Sequence, residues 1–286
     1  MHVFDPDAYP LSPEAAYTPK PHTLPSALAF ESSLGLDNIV LVQPSVYGTD
    51  NTCLLDALHC LGPRRTRAVV ALSPATTSPS TLRAWHAAGV RAVRINLVSP
   101  AESATTTAIT DLAAAAQHLL RTHADAVRPL GWAVQLYVPL ALLDALEPLV
   151  PGLGVRVVVD HMGQPPAGRA AADPYDMPGF AALVRLMRGG RTFVKLSAPY
   201  RISGAGAAAA EEGYADVEPV ARELLRVGGR RSVVFATDWP HTRFEGLDVR
   251  PWVEKVLGTC GDDDELVGRV FRGDAEDLWD ARPGGE

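Results

Sequence analysis

The chain has 286 residues, with 26 Lys and Arg against 33 Asp and Glu, a formal net charge of −7, and 47% hydrophobic residues. This is an ordinary globular composition, which excludes collagen-like and disordered classes, and its acidic balance suits neither nucleic acid nor an anionic membrane surface. No apolar run is long enough to span a bilayer, and no charged segment followed by a hydrophobic stretch opens the chain, so neither a membrane anchor nor a secretory signal is expected.

Taken in chain order, Met1-His-Val-Phe4 reads as the tail of a first strand. Seven further runs rich in Val and Ile follow, over 38–43, 66–72, 90–97, 132–138, 155–160, 192–197 and 232–238. Their length and β-branched content predict buried strands. Helical stretches are expected between them, over 24–34, 50–61, 80–88, 103–122, 140–149, 177–188 and 213–227. Two more, over 249–258 and 262–279, close the chain. Strand-helix alternation implies parallel strands with crossover helices. No Gly-rich phosphate loop follows the first long strand, which argues against dinucleotide binding. The expected fold is therefore an α/β (β/α)8 barrel of the TIM type, as one domain over 1–280, with a frayed tail over 281–286. The Ala/Gly-rich pieces 167–172 and 204–210 read as loops after strands, either lids or tolerated insertions.

Cys53 and Cys60 lie seven residues apart on one predicted helix, about 10 Å along its axis, and cannot pair while it is intact. With Cys260 they make an odd set without metal spacing, which suits a reducing, cytoplasmic setting.

The strand ends carry the chemistry. Gln43 and Ser45, Arg94 and Asn96, Gln135 and Tyr137, Asp160 and His161, Lys195 and Ser197, and Thr237 and Asp238 all fall there. In a barrel these ends converge on one mouth, where catalytic groups are found. A buried carboxylate at Asp238 needs a partner, a metal or a task. Asp160 is an alternative, but strand alternation would then turn His161 to the opposite face. Arg94 alternates with Val93 and Ile95 and so points inward, where a guanidinium needs an anion, internal or from a substrate. Arg201 can reach the same mouth. His241, three residues after Asp238, is either a partner to it or a loop residue.

Three segments make the sequence recognisable. Val159-Asp-His-Met-Gly-Gln-Pro165, Val194-Lys-Leu-Ser197 with Arg201, and Thr237-Asp-Trp-Pro-His241 resemble the amidohydrolase superfamily. Gln43-Pro-Ser-Val-Tyr-Gly-Thr-Asp-Asn51 and Val93-Arg-Ile-Asn96 are similar to its branch of 2-pyrone-4,6-dicarboxylate lactonases and 4-sulfomuconolactone hydrolases. The likeness runs from His2 to about Trp279.

It implies a (β/α)8 barrel that hydrolyses a small anionic lactone. Asp238 would be the base that activates water, and His161 and His2 would polarise the carbonyl. Arg94 and Arg201 would hold substrate carboxylates, with Ser45, Tyr47 and Tyr137 adding hydrogen bonds. In this branch either no cofactor is required or one Zn2+ is bound, and His2, His161 and Asp238 would be its ligands. The branch carries a His-x-His pair on its first strand. His2 matches the second member, and the first would fall just before Met1, so the first strand reads as truncated. The pyrone lactonases also carry a further basic residue after the Arg94 position, which Val98-Ser99-Pro100 does not supply. Two alternatives follow from the same likeness: a zinc-dependent decarboxylase of an aromatic or muconate-type acid, and an anion-binding barrel with impaired catalysis. Self-association is left open.

Overall fold

The computed structural model describes residues 1–98, 109–168 and 173–281. Its centre is one curled parallel sheet of seven strands in sequence order. They are β1 (Ile39–Val42), β2 (Thr66–Val70), β3 (Val90–Asn96), β4 (Ala133–Tyr137), β5 (Val157–Val159), β6 (Thr192–Leu196) and β7 (Val233–Phe235). Every neighbouring pair is parallel, and β3 and β4 align Arg94 with Gln135 and Asn96 with Tyr137. Helices α1 (Leu24–Leu34), α2 (Thr52–Leu61), α3 (Pro79–Ala88) and α4 (Ile109–Val127) precede β4. The short α5 (Leu143–Leu146), then α6 (Phe180–Arg188), α7 (Glu218–Gly228) and α8 (Arg250–Cys260) follow. The chain ends through α9 (Asp264–Gly268), a π-turn over Arg269–Gly273, and α10 (Asp274–Leu278).

Strand alternation sorts the apolar residues into two cores. Leu41, Val70, Val93, Leu136, Val159, Val194 and Val233 pack outward against the helices. Val42, Val69, Ala92, Ala133, Val158, Phe193 and Val234, one from each strand, pack inward. Leu278 and Trp279 join this inner core from the C-terminal segment. The Trp279 ring lies under Lys195, with the ammonium 5.8 Å from the ring centre.

Several expected boundaries shift for local reasons. The helix expected over 80–88 starts at Pro79, because the Ser78 hydroxyl accepts from the Thr81 N–H and proline suits the first helical turn. The stretch 140–149 holds only one α-helical turn, flanked by the 3-10 turns Leu140–Leu142 and Val150–Gly152. Pro148 has no N–H with which to continue the helix. The helix expected from 177 begins at Phe180, after Pro178-Gly179. The piece 204–210, expected as a loop, contributes to a 3-10 helix over Gly206–Glu212, and α7 starts only at Glu218. The start of the 103–122 helix, residues 169–172 of the first Ala/Gly-rich piece, and the tail beyond 281 lie outside the described residues. Cys53 and Cys60 share α2, as expected, and all three cysteines are free.

Met1–Phe4 are not an eighth regular strand. Phe4 makes an isolated antiparallel bridge with His22. The Met1 amine donates to the Val40 carbonyl at 3.0 Å, and the Val42 N–H donates to the Met1 carbonyl at 2.9 Å. The His2 N–H donates to the Trp239 carbonyl, beyond β7, at 2.8 Å. This short segment therefore bonds to both margins of the sheet. No helix among the described residues is long and apolar enough to cross a membrane.

The inner core yields a stability test. Trp279 is 3% exposed. Trp279→Ala should lower the unfolding free energy by about 3–5 kcal/mol, the usual range for a large aromatic removed from a core. Urea denaturation followed by circular dichroism measures it, and a loss below about 1 kcal/mol would mean that the indole does not stop the inner core.

Candidate active site

The strand exits break regular backbone where the polar residues gather. His161 (φ 49°), Ala198 (φ 51°) and Asp238 (φ 57°) are all left-handed. Such backbone costs on the order of 1–3 kcal/mol in a non-glycine residue and concentrates at functional sites. It also corrects the alternation argument. β5 ends at Val159, so Asp160 and His161 are not on opposite faces of a regular strand. Asp160 turns down among interior side chains and His161 turns into the mouth.

His2, Ser45, Arg94, Tyr137, His161, Arg201 and Asp238 line one pocket, together with Tyr17, Asn96 and Arg243. Tyr47 does not join them. It is buried beside Phe4, and its hydroxyl accepts from the Asp5 N–H at 2.9 Å. Gln43 is buried as well and ties down the loop after β1, donating to the Asp50 carbonyl at 2.7 Å.

Asp238 is the hub. Its Oδ2 accepts from the Tyr200 hydroxyl at 2.7 Å and from Arg201 Nε at 3.2 Å. Its Oδ1 faces two imidazoles, with His2 Nε2 at 3.7 Å and His161 Nε2 at 3.8 Å. Burial opposes the carboxylate, but His161, the Arg201 guanidinium and His2 outweigh it and hold the carboxyl well below its usual range. Burial lowers His161 to about 4 and lowers His2 as well. Both imidazoles are therefore neutral near pH 7.

The two rings are not equivalent. His2 Nδ1 is 2.7 Å from the Val42 carbonyl, which can only accept, so the proton sits on Nδ1 and Nε2 carries a lone pair. His161 Nδ1 is 2.8 Å from Ser197 Oγ, a group able to donate to it and so leave a proton on Nε2.

A second charged layer lies below. The Asp160 carboxylate is 2.9 Å from Lys195 Nζ, accepts from Gln135 at 2.9 Å and stands 3.8 Å from Arg94 Nε. Burial opposes its charge too, but Lys195, His161 and Arg94 keep its carboxyl below the usual range. Arg94 also donates to the Gln43 carbonyl at 3.1 Å and lies over the Tyr137 ring at 5.3 Å. Among the described residues, Arg94, Lys195 and Arg201 thus face two carboxylates, Asp160 and Asp238, so that within these five groups the positive charges outnumber the negative by one. His241 is buried against Phe30 and Tyr200, and neither ring nitrogen has a hydrogen-bond partner among the described residues.

Tyr200 and Tyr17 escape a reading based on strand ends. Tyr200 follows the break at Ala198, and Tyr17 arrives from the segment before α1. The only signal for Tyr200 in the sequence is its place directly before Arg201.

The donor set does not fit a metal ion. His2, His161 and Asp238 converge, but Asp238 is already neutralised by Arg201 and hydrogen-bonded by Tyr200, and further cations lie beneath. Among the described residues no group of three or more His, Cys, Asp or Glu is arranged to hold one.

Residues 1–281 match the family model described as amidohydrolase. Over 245 residues the chain is 32% identical to 2-pyrone-4,6-dicarboxylate hydrolase of Comamonas testosteroni, covering 84% of this chain and 75% of that one. It is 30% identical over 246 residues to 4-sulfomuconolactone hydrolase of Hydrogenophaga intermedia, covering 85% and 74%. A crystal structure of a candidate 2-pyrone-4,6-dicarboxylic acid hydrolase from Pseudomonas putida superposes with a TM-score of 0.75 at 29% identity, covering 99% of this chain and 96% of that one.

The buried imidazoles give a direct test. Burial disfavours imidazolium, so histidine nitrogen NMR should find His161 neutral from pH 8 down to about pH 5, with protonation centred at about 4. A His161 ring already charged at about pH 6 would mean that burial does not govern its protonation.

Proposed function

The chain belongs to the amidohydrolase family, and on that premise we propose that it is a hydrolase opening a small anionic lactone of the 2-pyrone-4,6-dicarboxylate kind. The observation that carries this reading is Asp238, an ionised carboxylate with one oxygen anchored and the other turned toward the pocket. The Met1–His2 segment, bonded to both sheet margins, is read as the short eighth position of a (β/α)8 barrel.

In the reaction, Asp238 Oδ1 takes a proton from water, and the resulting hydroxide oxygen bonds to the lactone carbonyl carbon. The carbonyl electron pair moves to its oxygen. His161, carrying its proton on Nε2 opposite the Ser197 hydroxyl, stabilises that oxyanion. When the carbonyl re-forms, the ring C–O bond breaks, and the departing oxygen takes the proton held by Asp238. One water is consumed, giving a hydroxyl and a carboxylic acid, which loses its proton to solvent to leave as the carboxylate. His2, with a lone pair at Nε2, cannot polarise a carbonyl in its neutral form, which departs from the role implied for it by resemblance. It accepts a hydrogen bond and so orients the water.

The excess positive charge selects the substrate. An anion entering the pocket balances this charge, and Arg94 and Arg201 are lining cations that also touch the buried carboxylates. Arg243, over the Tyr17 ring at 5.7 Å, adds positive potential at the rim. A metal is not needed for this sequence of steps, because Asp238 supplies the base and His161 the electrophile. Three free thiols are consistent with a reducing cytoplasm.

The test is loss of ultraviolet absorbance from 2-pyrone-4,6-dicarboxylate. Asp238→Asn should cut kcat by about 10²–10⁴-fold, the usual worth of a general base. Arg94→Met should raise KM by about tenfold or more as a charge-assisted contact is lost. Carbon dioxide release instead of ring opening would favour the decarboxylase alternative.

A further inference from the structure

We propose that Tyr200 is a positioning residue that makes Asp238 a one-sided base, tying down Oδ2 so that Oδ1 alone receives the proton. The inference rests on the reading of Asp238 as the base and assigns a task to a side chain that the reaction steps do not name.

A free carboxylate offers two equivalent oxygens and turns about its Cβ–Cγ bond. Here the two are made different. Oδ2 accepts from the Tyr200 hydroxyl at 2.7 Å and from Arg201 Nε at 3.2 Å. Oδ1 has neither donor and looks toward His2 Nε2 and His161 Nε2. Two donors on one oxygen draw electron density to it and stop the rotation. The opposite oxygen is left to meet water, at the point on which both imidazoles converge.

Tyr200 is built for this task. Its ring is 1% exposed. It stands edge-on to His241 at 5.6 Å, packs on Phe244 at 4.9 Å and carries the Arg201 guanidinium 5.2 Å from its centre. The left-handed Ala198 turns the chain out of β6 and starts the 3-10 turn Pro199–Arg201. That turn delivers Tyr200 and Arg201 to the same carboxylate oxygen. Burial and the nearby carboxylate push the phenol well above its ordinary range, so it remains a donor wherever Asp238 is ionised. Arg201 alone would not serve as well, since it is also drawn to the Thr242 carbonyl at 3.1 Å.

Tyr200→Phe removes the hydroxyl and keeps the packed ring. Hydrolysis of 2-pyrone-4,6-dicarboxylate is measured for both proteins, and the Asp238 carboxyl is titrated by carbon NMR of Asp-labelled protein, its signal assigned by its absence in Asp238→Asn. Loss of the donor should reduce kcat by about 10–100-fold with KM within about twofold, as for an interaction made more strongly in the transition state. The Asp238 titration should move to higher pH. Wild-type rates in Tyr200→Phe, or an unmoved titration, would overturn the proposal. So would kcat lost together with a lowered Tm and an unmoved titration, which is the pattern of a packing role. A wild-type protein that leaves this pyrone intact, with the Asp238 titration still moved in Tyr200→Phe, would sustain the positioning role and overturn the assigned substrate.

Discussion

A carboxylate taken out of water has to be met by donors on every side, or it will not stay charged. Asp238 makes that demand at the end of β7, and four side chains from three other places in the chain gather around it. Tyr200 and Arg201 come from the turn after β6, His161 from the turn after β5, and His2 from the segment lying against β1. None of these groups is near another in sequence except Tyr200 and Arg201. The parallel sheet brings them together because every strand ends at the same rim. The left-handed residues at these exits then bend the chain so that side chains from consecutive positions face one atom.

Below the rim, the same strands carry a second balance of charge. Asp160 is shared between Lys195 and Arg94, with Gln135 filling its remaining valence. This layer separates the wet mouth from the apolar inner core formed by one residue of each strand and closed by Trp279. Among the described residues, three cations share two carboxylates across the two layers, a balance that the proposed anionic substrate would complete.

Much of this was legible in the sequence, because period-two alternation is a geometric law of strands. Val93, Arg94, Ile95 and Asn96 could only split between two faces, and Arg94 does point inward. The convergence of polar strand ends could be read for the same reason. What alternation does not govern was harder to read. Alternation predicts opposite faces for Asp160 and His161, but the strand ends before them. Tyr47 sits in a motif beside Ser45, yet a 3-10 turn over Ser45–Tyr47 sends its ring into the wall beside Phe4. Tyr200 lies past a backbone break, where no periodicity extends. The helix over 140–149 failed on a proline within a leucine-rich run whose composition favours helix. Turn chemistry, and not strand or helix preference, decided each of these places.

The stopper at Trp279 has a consequence for the order of events. With the lower end of the interior packed by aliphatic side chains and an indole, the described residues leave the mouth as the approach to Asp238. Water and substrate must then share a single doorway. On the proposed reading, a ring seated against Arg94 and Arg201 stands in that doorway, so the water to be split has to be resident at Asp238 beforehand. Each cycle then begins from a hydrated carboxylate, and the chamber has to refill through the space that the departing acid vacates. Such a vestibule would couple turnover to solvent viscosity and water activity through the refilling step rather than through the bond-breaking one.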